Sequence, residues 1–559
     1  MSTPEEPTRL PGRRRKLPED VAASDGRPGG ETVVGGPESQ PEAAHAAGAR
    51  TAGASAAGGR RAAREPEQEV PAPPAPEGTT ILLDEDTPSM DRAARRRRPR
   101  NGAPQEPGAR RRRLVGRRWD PVLALCVVVP LVVVGALATV HPAPTQESLR
   151  APGAAPLQRS VLVCPAGLPG SEQVSVALAD ASTSGRVGVA GGEPFELRAG
   201  RVGTRSTSGT VVLDGNGATA VGLLAVRGDA GQGTICQGPR TDVWFTGVGG
   251  GPEHTSRLRL VNPDSGPAVA DVEVLTSDGP QEVRKLRGLT VEAKSETVID
   301  LDSVVPDRDD MSLRVTVPRG RLALSVTDTL QEIGSDVRAR SWLAGQSAGT
   351  RTTHLLGVER GTGRRTLVLA NAGEDEARVS IRFVTEQSEF VPAGLETVTV
   401  PPGSTSTVNL SKVLASKEAD GLHGLRLDSE VPVTATLRTV RGKRLQHTVG
   451  APWLRKQAAT VLPDGGSELV VAGAERMTDV IVRQRTADGT ELEPRTVPVP
   501  PNTAVPVELS SKARVVVLEV GGQPVRAAVV ASKGDPAQVR VLEELPVSTA
   551  VPDVRPALK

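Results

Sequence analysis

Residues that could perform catalysis are few and widely separated in this chain. The segment Gly345-Gln-Ser-Ala-Gly349 matches the G-x-S-x-G pattern, in which a nucleophilic serine lies between a strand and a helix. The residues after Ser347 instead have the pattern of another strand, and no aspartate–histidine pair is marked out to serve this serine. We interpret the match as a chance feature of a Gly- and Ser-rich connection, and we predict no catalytic residue and no enzymatic activity.

The candidates for a metal or cofactor site are equally weak. The histidines after residue 140 stand singly, without the spacing of metal ligands: His141, His254, His354, His423 and His447. A solvated loop explains the aspartate-rich region better than calcium does, because the order of carboxylates is not that of an EF-hand: Asp300, Asp302, Asp307, Asp309 and Asp310. The run 247–251 lacks the lysine and the helix of a phosphate-binding loop. We predict no metal and no cofactor.

Trp244, Trp342 and Trp453 occupy equivalent places near the ends of sequence repeats. An exposed tryptophan could stack on a sugar ring. Equivalent placement at repeat junctions is better explained by packing, because a large ring fills the space between adjoining units. The absence of tyrosine further weakens an aromatic sugar-binding surface. We predict that these three tryptophans are packing residues.

Short runs of Val, Leu and Thr, bounded by Gly, Pro, Asn and Asp, fill the chain from about residue 160, a pattern typical of strands and turns. The runs recur: residues 398–410 are matched by 497–509. A period of roughly 100 residues suits a β-sandwich of about seven strands. The predicted fold class is therefore mainly β, with tandem Ig-like β-sandwich repeats over 160–243, 244–345, 346–455 and 456–559.

The run from Pro121 to Val140 has no charged side chain and would extend about 30 Å as a helix, the thickness of a bilayer's hydrocarbon core. Arginine-rich blocks between residues 95 and 118 precede it, and arginine is retained on the cytoplasmic side. We predict one transmembrane helix over 119–141, a linker over 142–159, and a single-pass cell-membrane protein with extracellular C-terminal domains. The alternatives are a cleaved secretory signal, for which 136–138 fits the cleavage pattern, and a buried soluble helix.

Residues 1–118 are rich in Pro, Gly, Ala, Glu and Arg, a composition that predicts a disordered cytoplasmic tail. The segment 79–88 departs from it, either as a docking or phosphorylation site or as a random fluctuation. The arginine blocks lack interleaved aromatic residues, so we predict contact with the lipid bilayer and no nucleic-acid partner.

Cys164 and Cys236 fall on the predicted extracellular side, where disulfides persist. The third cysteine, Cys126, lies inside the apolar run. We therefore predict a disulfide between Cys164 and Cys236 in the first sandwich.

The layout from about residue 160 to the C-terminus resembles a family of membrane-anchored or secreted β-rich proteins of unknown function from high-GC Gram-positive bacteria. The resemblance rests on Val161-Leu-Val-Cys164-Pro165, on Thr234-Ile-Cys236, and on the Asn-Pro and Pro-Pro-Gly-Ser motifs. It implies a cell-envelope location and no established activity, and it transfers no catalytic residue.

These features favour a non-enzymatic, membrane-anchored extracytoplasmic envelope protein that acts as a scaffold or binding module. Its partner would be an envelope protein or polysaccharide. The alternative is a transmembrane sensor or signalling subunit that couples the ectodomain to a cytoplasmic regulator through the N-terminal tail. An enzyme that uses Ser347 is a third, weaker hypothesis.

Overall fold

The computed structural model describes residues 121–139, 153–229, 231–334, 337–464, 466–531 and 536–551. The predicted tail 1–118, the segment 79–88 within it, and residues 142–152 of the predicted linker lie outside the described residues.

Helix α1 spans Pro121–Thr139 and contains Pro130. Its described apolar side chains are exposed, and Leu125 and Leu131 each keep 65% of their surface open. In the described part of the chain, no helix is both long and apolar enough to cross a membrane. The transmembrane helix predicted over 119–141 is therefore not supported by the helix observed. Two further helices are very short: α2 Leu301–Val304 and α3 Ser411–Ala415.

Module 1 follows a short first strand, β1 (Gly153–Pro156). Its strands are β2 Arg159–Cys164, β3 Gln173–Leu178, β4 Gly185–Val189, β5 Gly192–Leu197, β6 Gly203–Ser206, β7 Val211–Asn216, β8 Leu223–Gly228 and β9 Gly233–Ile235. They form two antiparallel sheets, ordered β2-β7-β4-β5 and β6-β3-β8-β9.

The first strand of module 2 begins at Asp242. Its strands are β10 Asp242–Val248, β11 His254–Val261, β12 Ala268–Thr276, β13 Gly279–Gln281, β14 Leu289–Val291, β15 Glu296–Asp300, β16 Met311–Arg319, β17 Ala323–Gln331 and β18 Arg338–Leu343. One sheet is ordered β10-β16-β12-β13, with β14 also on β12, and the other is ordered β15-β11-β17-β18.

Module 3 contains one unusually long strand. Its strands are β19 Thr350–Leu356, β20 Arg364–Asn371, β21 Ala377–Thr385, β22 Glu389–Phe390, β23 Val398–Val400, β24 Ser404–Asn409, β25 Leu422–Arg441 and β26 Arg444–Val449. The first part of β25 pairs with β19 and β21, and its second part pairs with β20 and β26. One strand therefore runs through both layers of the module.

Module 4 has eight strands again. They are β27 Gln457–Val461, β28 Ser467–Ala472, β29 Thr478–Thr486, β30 Arg495–Val499, β31 Ala504–Leu509, β32 Ala513–Val520, β33 Arg526–Ala531 and β34 Val539–Val541. Its sheets are ordered β27-β32-β29-β30 and β31-β28-β33-β34. The last strand, β35 (Ser548–Val551), pairs antiparallel with β1.

All four modules share one strand order. Numbered within each module, strands 1-6-3-4 form one sheet and strands 5-2-7-8 form the other; modules 2 and 3 split strand 4 in two, and β25 of module 3 serves as strands 6 and 7. The Ig constant-type order places the first two strands in the same sheet. The described strands instead divide them between sheets, so the mainly β prediction is confirmed but the Ig-like topology is not.

Each module encloses one hydrophobic core to which both of its sheets contribute. In module 2, Phe245 and Leu258 come from opposite sheets and are fully buried in the same cluster. Along β12 buried and half-buried side chains alternate, as expected for strands with one inward face. Because the chain has no tyrosine and four phenylalanines, these cores consist mostly of Val, Leu and Ala.

The repeated sequence motifs form the corners of the modules. Asn371, at the end of β20, donates Nδ2–H to the carbonyl oxygens of Asp375 and Val400, and Asn262 makes the equivalent bonds in module 2. The turn before strand 5 has a left-handed backbone in all four modules: φ is 71° at Gly200, 56° at Lys294, 62° at Gly403 and 57° at Asn502. Gly and Asn adopt this conformation at low cost, which explains the recurring Pro-Pro-Gly and Pro-Pro-Asn segments.

The predicted linker 142–159 ends in a strand, which local sequence did not indicate. Its residues 153–156 are extended because β35 supplies the backbone partners from the opposite end of the chain. A Pro- and Ala-rich segment forms a strand here through pairing and not through intrinsic preference. The boundaries of the four predicted sandwiches stay a prediction.

The structure joins Cys164 and Cys236 in a disulfide, as predicted. Both cysteines are buried in the core of module 1, where they link the end of β2 to the residue after β9. The bond closes a loop with a sequence separation of 72.

We expect the double substitution Cys164→Ala/Cys236→Ala to lower the free energy of unfolding of module 1 by about 4 kcal/mol, because the disulfide restricts the unfolded chain over a long loop. Urea unfolding followed by circular dichroism would measure this loss. Cys126→Ala is the matched control, since Cys126 is a free thiol. Equal stability of the double variant and the control would contradict the expectation.

Candidate ligand cavity at the junction of the modules

The eighth strands of the four modules come together. β18 contacts β26, β26 contacts β34, and β9 contacts both β18 and β34. Residues within and just after these strands enclose a cavity of about 280 Å³. Each module contributes one part of the wall, so the cavity depends on all four being in place.

Two of the three predicted packing tryptophans form part of this wall. Trp342 is buried and donates Nε1–H to the carbonyl oxygen of Ala166, in module 1, at 3.1 Å. Trp453 is half-buried, and the Arg526 guanidinium of module 4 lies 4.2 Å from its ring centroid, a cation–π contact. Both rings therefore lie where two modules adjoin, and both also face the cavity.

Trp244 lies at another seam. It is buried against Leu275 of module 2 and Ala370 of module 3. Its backbone exchanges two hydrogen bonds with Gln346, at 2.9 and 2.8 Å. This ring packs between modules 2 and 3 away from the cavity wall.

Arg540 on β34 is a buried cation in the cavity wall. Its residue surface is 4% exposed, and Nη2 donates to the carbonyl oxygen of Asp229 at 2.7 Å. Among the described residues, Nε and Nη1 have no hydrogen-bond acceptor. Burial lowers the pKa of Arg540 to about 10, so the guanidinium still carries its proton at neutral pH.

Three other buried arginines have more acceptors than Arg540. Arg227 donates to three backbone carbonyls, and Arg485 and Arg526 donate to two each. Arg540 donates to one, and no carboxylate in the described residues forms a salt bridge with it. Because a buried charge is stabilised only by partners, Arg540 is the under-satisfied member of this set.

The carboxylates of the wall already have partners. Glu543 forms a salt bridge with Arg240, and both side chains are partly exposed. Glu544 accepts a hydrogen bond from the backbone N–H of Arg455 at 2.8 Å. A partly exposed pair of this kind contributes little to stability, but it leaves the Arg540 guanidinium unpaired.

His447 links the cavity wall to a buried polar cluster behind it. Its Nε2 lies 3.0 Å from Oδ2 of Asp328, and among the described residues its Nδ1 has no partner. A carboxylate can only accept, so Nε2 carries the donated proton and Nδ1 of the neutral ring is an acceptor. His447 therefore presents an unused acceptor beside the cavity.

Asp328 is fully buried and collects three donors. Besides His447, it accepts from Nε2 of His254 at 2.9 Å and from Oγ of Ser256 at 2.5 Å. Burial by itself raises the pKa of Asp328, but the neighbouring histidines and their hydrogen bonds outweigh burial and hold the pKa well below its ordinary range. The carboxylate is thus ionised in the folded protein.

The same cluster joins two modules. Arg438 of module 3 forms a salt bridge with Asp310 of module 2, and its Nη1 lies 3.3 Å from Nδ1 of His254. A guanidinium can only donate, so Nδ1 of His254 accepts and Nε2–H points to Asp328. With His447, this arrangement makes a polar seam between modules 2 and 3.

Ser347 does not lie in a nucleophile elbow. It is exposed in the connection between β18 and β19, and no helix follows it. It lines the cavity, but the strand–turn–helix geometry that activates such a serine is not formed by this segment.

The histidines that stand singly in the sequence are only partly separate in the structure. His254 and His447 meet at Asp328. His354 is buried 3.7 Å from Glu389, where burial lowers the pKa of the imidazole, and His423 lies 3.3 Å from Glu386. His141 lies outside the described residues. No group of three or more His, Cys, Asp or Glu side chains in the described ranges could hold a metal ion.

Sequence patterns did not single out Arg540 or Asp328. Their signal is a charged residue inside an apolar strand, as in Val539-Arg540-Val541 and Val326-Thr-Asp328-Thr-Leu330. Such residues are seldom fully buried unless they have partners, so each marks a place where another part of the chain must approach.

The fold and cavity define a protein of four β-sandwich modules that share one junction. The chain belongs to DUF5719, a family of unknown function, whose model matches residues 205–510. No curated protein matches the chain. Among solved structures, an α-L-rhamnosidase from Streptomyces avermitilis complexed with L-rhamnose is 10% identical over 68% of this chain, with a TM-score of 0.11. The match spans 55% of that enzyme's chain, and this weak likeness carries no argument.

We expect Asp328→Asn to destabilise the protein by about 3–5 kcal/mol at pH 7, because His254, His447 and Ser256 lose the buried carboxylate to which they donate. The low pKa of Asp328 stabilises the folded state above the unfolded pKa of about 3.9, and this contribution is lost as pH falls below it. Urea unfolding at pH 7 and at pH 3 should therefore show a smaller loss on acidification in the variant than in the wild type. Asp302→Asn, an exposed position, is the control; a parallel acid loss in wild type and Asp328→Asn would refute this role.

Proposed function

We propose that this chain is a non-enzymatic extracytoplasmic envelope protein whose β modules act as a scaffold or binding module. The observation that carries the proposal is the disulfide between Cys164 and Cys236. Disulfides persist in oxidising compartments and are rare in the cytosol, so the bond supports an extracytoplasmic location for module 1 and for the modules packed on it.

A membrane anchor at residues 119–141 is part of this proposal. Against this anchor, no helix in the described part of the chain is both long and apolar enough to cross a membrane. In its favour, the described side chains of α1 from Leu125 to Gly135 are all exposed, and the preceding segment is rich in arginine. A contiguous exposed apolar surface needs a cover, and a bilayer flanked by cytoplasmic arginines would supply it.

A scaffold or binding role fits the way the modules are joined. Module 4 donates hydrogen bonds from Arg485 to module 1 and from Arg526 to module 3. Buried polar contacts of this kind hold the modules in fixed positions, which suits a protein that presents surfaces to an envelope protein or polysaccharide. The high-GC Gram-positive origin implied by the sequence motifs remains part of the proposal.

We expect the full chain to stay in the membrane pellet after extraction with alkaline carbonate. The double substitution Val128→Arg/Val132→Arg should release most of the protein, because two charges in an apolar span cost about 5–7 kcal/mol. Val391→Arg, at an exposed position of module 3, is the control and should stay in the pellet. Wild-type protein in the soluble fraction would contradict the anchor.

The second candidate function is a transmembrane sensor or signalling subunit, and the segment 79–88 in the tail favours it. Deletion of residues 1–78 should leave envelope phenotypes unchanged under both functions. Deletion of residues 1–90 should also leave them unchanged if the chain is a scaffold, because the modules lie wholly after it. If the envelope phenotype changes when residues 1–90 are deleted but not when residues 1–78 are deleted, the segment 79–88 is a signalling element and the scaffold proposal is overturned.

A further inference from the structure

We propose that the junction cavity binds a sugar acid, a hydroxylated carboxylate the size of one sugar ring, with Arg540 as the donor to its carboxylate. This proposal gives the proposed binding role a class of ligand. It rests on the proposed function in one respect, the cell envelope as the source of the ligand. It stands on the chemistry of three parts of the wall.

The first part is the unpaired guanidinium. Arg540 lines the cavity, its residue surface is 4% exposed, and Nε and Nη1 lack an acceptor in the described residues. Each of these N–H groups can donate a charge-assisted hydrogen bond to a carboxylate oxygen. An anion in the cavity would therefore partner a buried charge that otherwise has a single backbone carbonyl.

The second part is the acceptor on His447. Its Nε2–H is committed to Asp328, which leaves Nδ1 to accept a hydrogen bond. A bare carboxylate has no donor for this atom, whereas a hydroxyl group has one. Arg540 and His447 belong to modules 4 and 3, so a ligand that carries both groups would bridge the seam between them.

The third part is the size and the aromatic lining. A volume of about 280 Å³ lies at the lower end of small-molecule sites, which favours one ring over a longer chain. Trp342 and Trp453 line the cavity together with Thr234 and Gln346. A sugar ring, with apolar faces and polar edges, matches this mixture of surfaces.

The Arg540 guanidinium packs closely against β9. A side chain at Gly233 would place a Cβ 2.1 Å from Nη2 of Arg540, so glycine leaves room for the guanidinium as it is placed here. β9 and β34 therefore fit together around this side chain.

The test is calorimetric titration of the purified full chain with D-glucuronate, D-glucose and inorganic phosphate at pH 7. We expect saturable one-site binding of glucuronate, and glucose and phosphate each at least about 10-fold weaker, since a charged hydrogen bond is worth about 10-fold or more in affinity. This comparison needs no variant. No saturable glucuronate binding, or equal binding of glucuronate and glucose or of glucuronate and phosphate, would overturn the proposal.

Variants then assign the residues. Arg540→Met should weaken glucuronate binding at least about 10-fold, and His447→Gln, whose amide N–H can still serve Asp328, should weaken it by several-fold. Arg378→Met removes an exposed arginine of module 3 that does not line the cavity and should leave the affinity within about 2-fold. Unchanged affinity in folded Arg540→Met would overturn the assignment. If glucuronate does not bind, the membrane and scaffold proposal is unaffected. If the wild-type protein is found in the soluble fraction, the titration result is unaffected. The failures of the two proposals can therefore be distinguished.

Discussion

The arrangement of the modules depends on buried arginines that donate to backbone carbonyls of a neighbouring module. Arg485 of module 4 reaches Leu178 and Ala179 in module 1, and Arg526 of module 4 reaches Thr352 in module 3. A guanidinium that is buried away from water needs hydrogen-bond acceptors. For Arg485 and Arg526 these acceptors are backbone carbonyls of the neighbouring module. Separating two modules would leave a buried charge without partners, so the modules are coupled in stability as well as in position.

Because the modules are coupled in this way, the protein contains a cavity that no single module contains. Each module repeats one strand order, and its eighth strand is short and ends near the others. Once the seams fix the modules, these four strands enclose one cavity with different residues on each side. The copies differ at this junction: Trp342 lies on the eighth strand of module 2 and donates to a carbonyl, whereas His447 lies on the eighth strand of module 3 and donates to a buried carboxylate.

The polar seam around Asp328 adds specificity to this packing. Apolar contacts alone allow two sandwiches to slide, because Val and Leu surfaces are poorly directional. The carboxylate of Asp328 accepts from His447 only in one relative position of modules 2 and 3. The same position brings the imidazole to the cavity wall, so the contact that fixes the seam also places a candidate ligand-binding atom.

The sequence by itself determined the local features. Alternating Val-rich runs gave the strands, Asn and Gly at fixed offsets gave the corners, and the place of Cys164 and Cys236 on the predicted extracellular side indicated the disulfide. These follow from pleat geometry, turn conformation and redox chemistry, all of which act over short distances. Only the tertiary structure decided the strand order within the modules, the pairing of β1 with β35, and the approach of Arg540 to module 1. Those depend on which residues meet across tens to hundreds of positions. An isolated charged residue in an apolar strand shows that a partner must exist, but it does not show which residue that partner is.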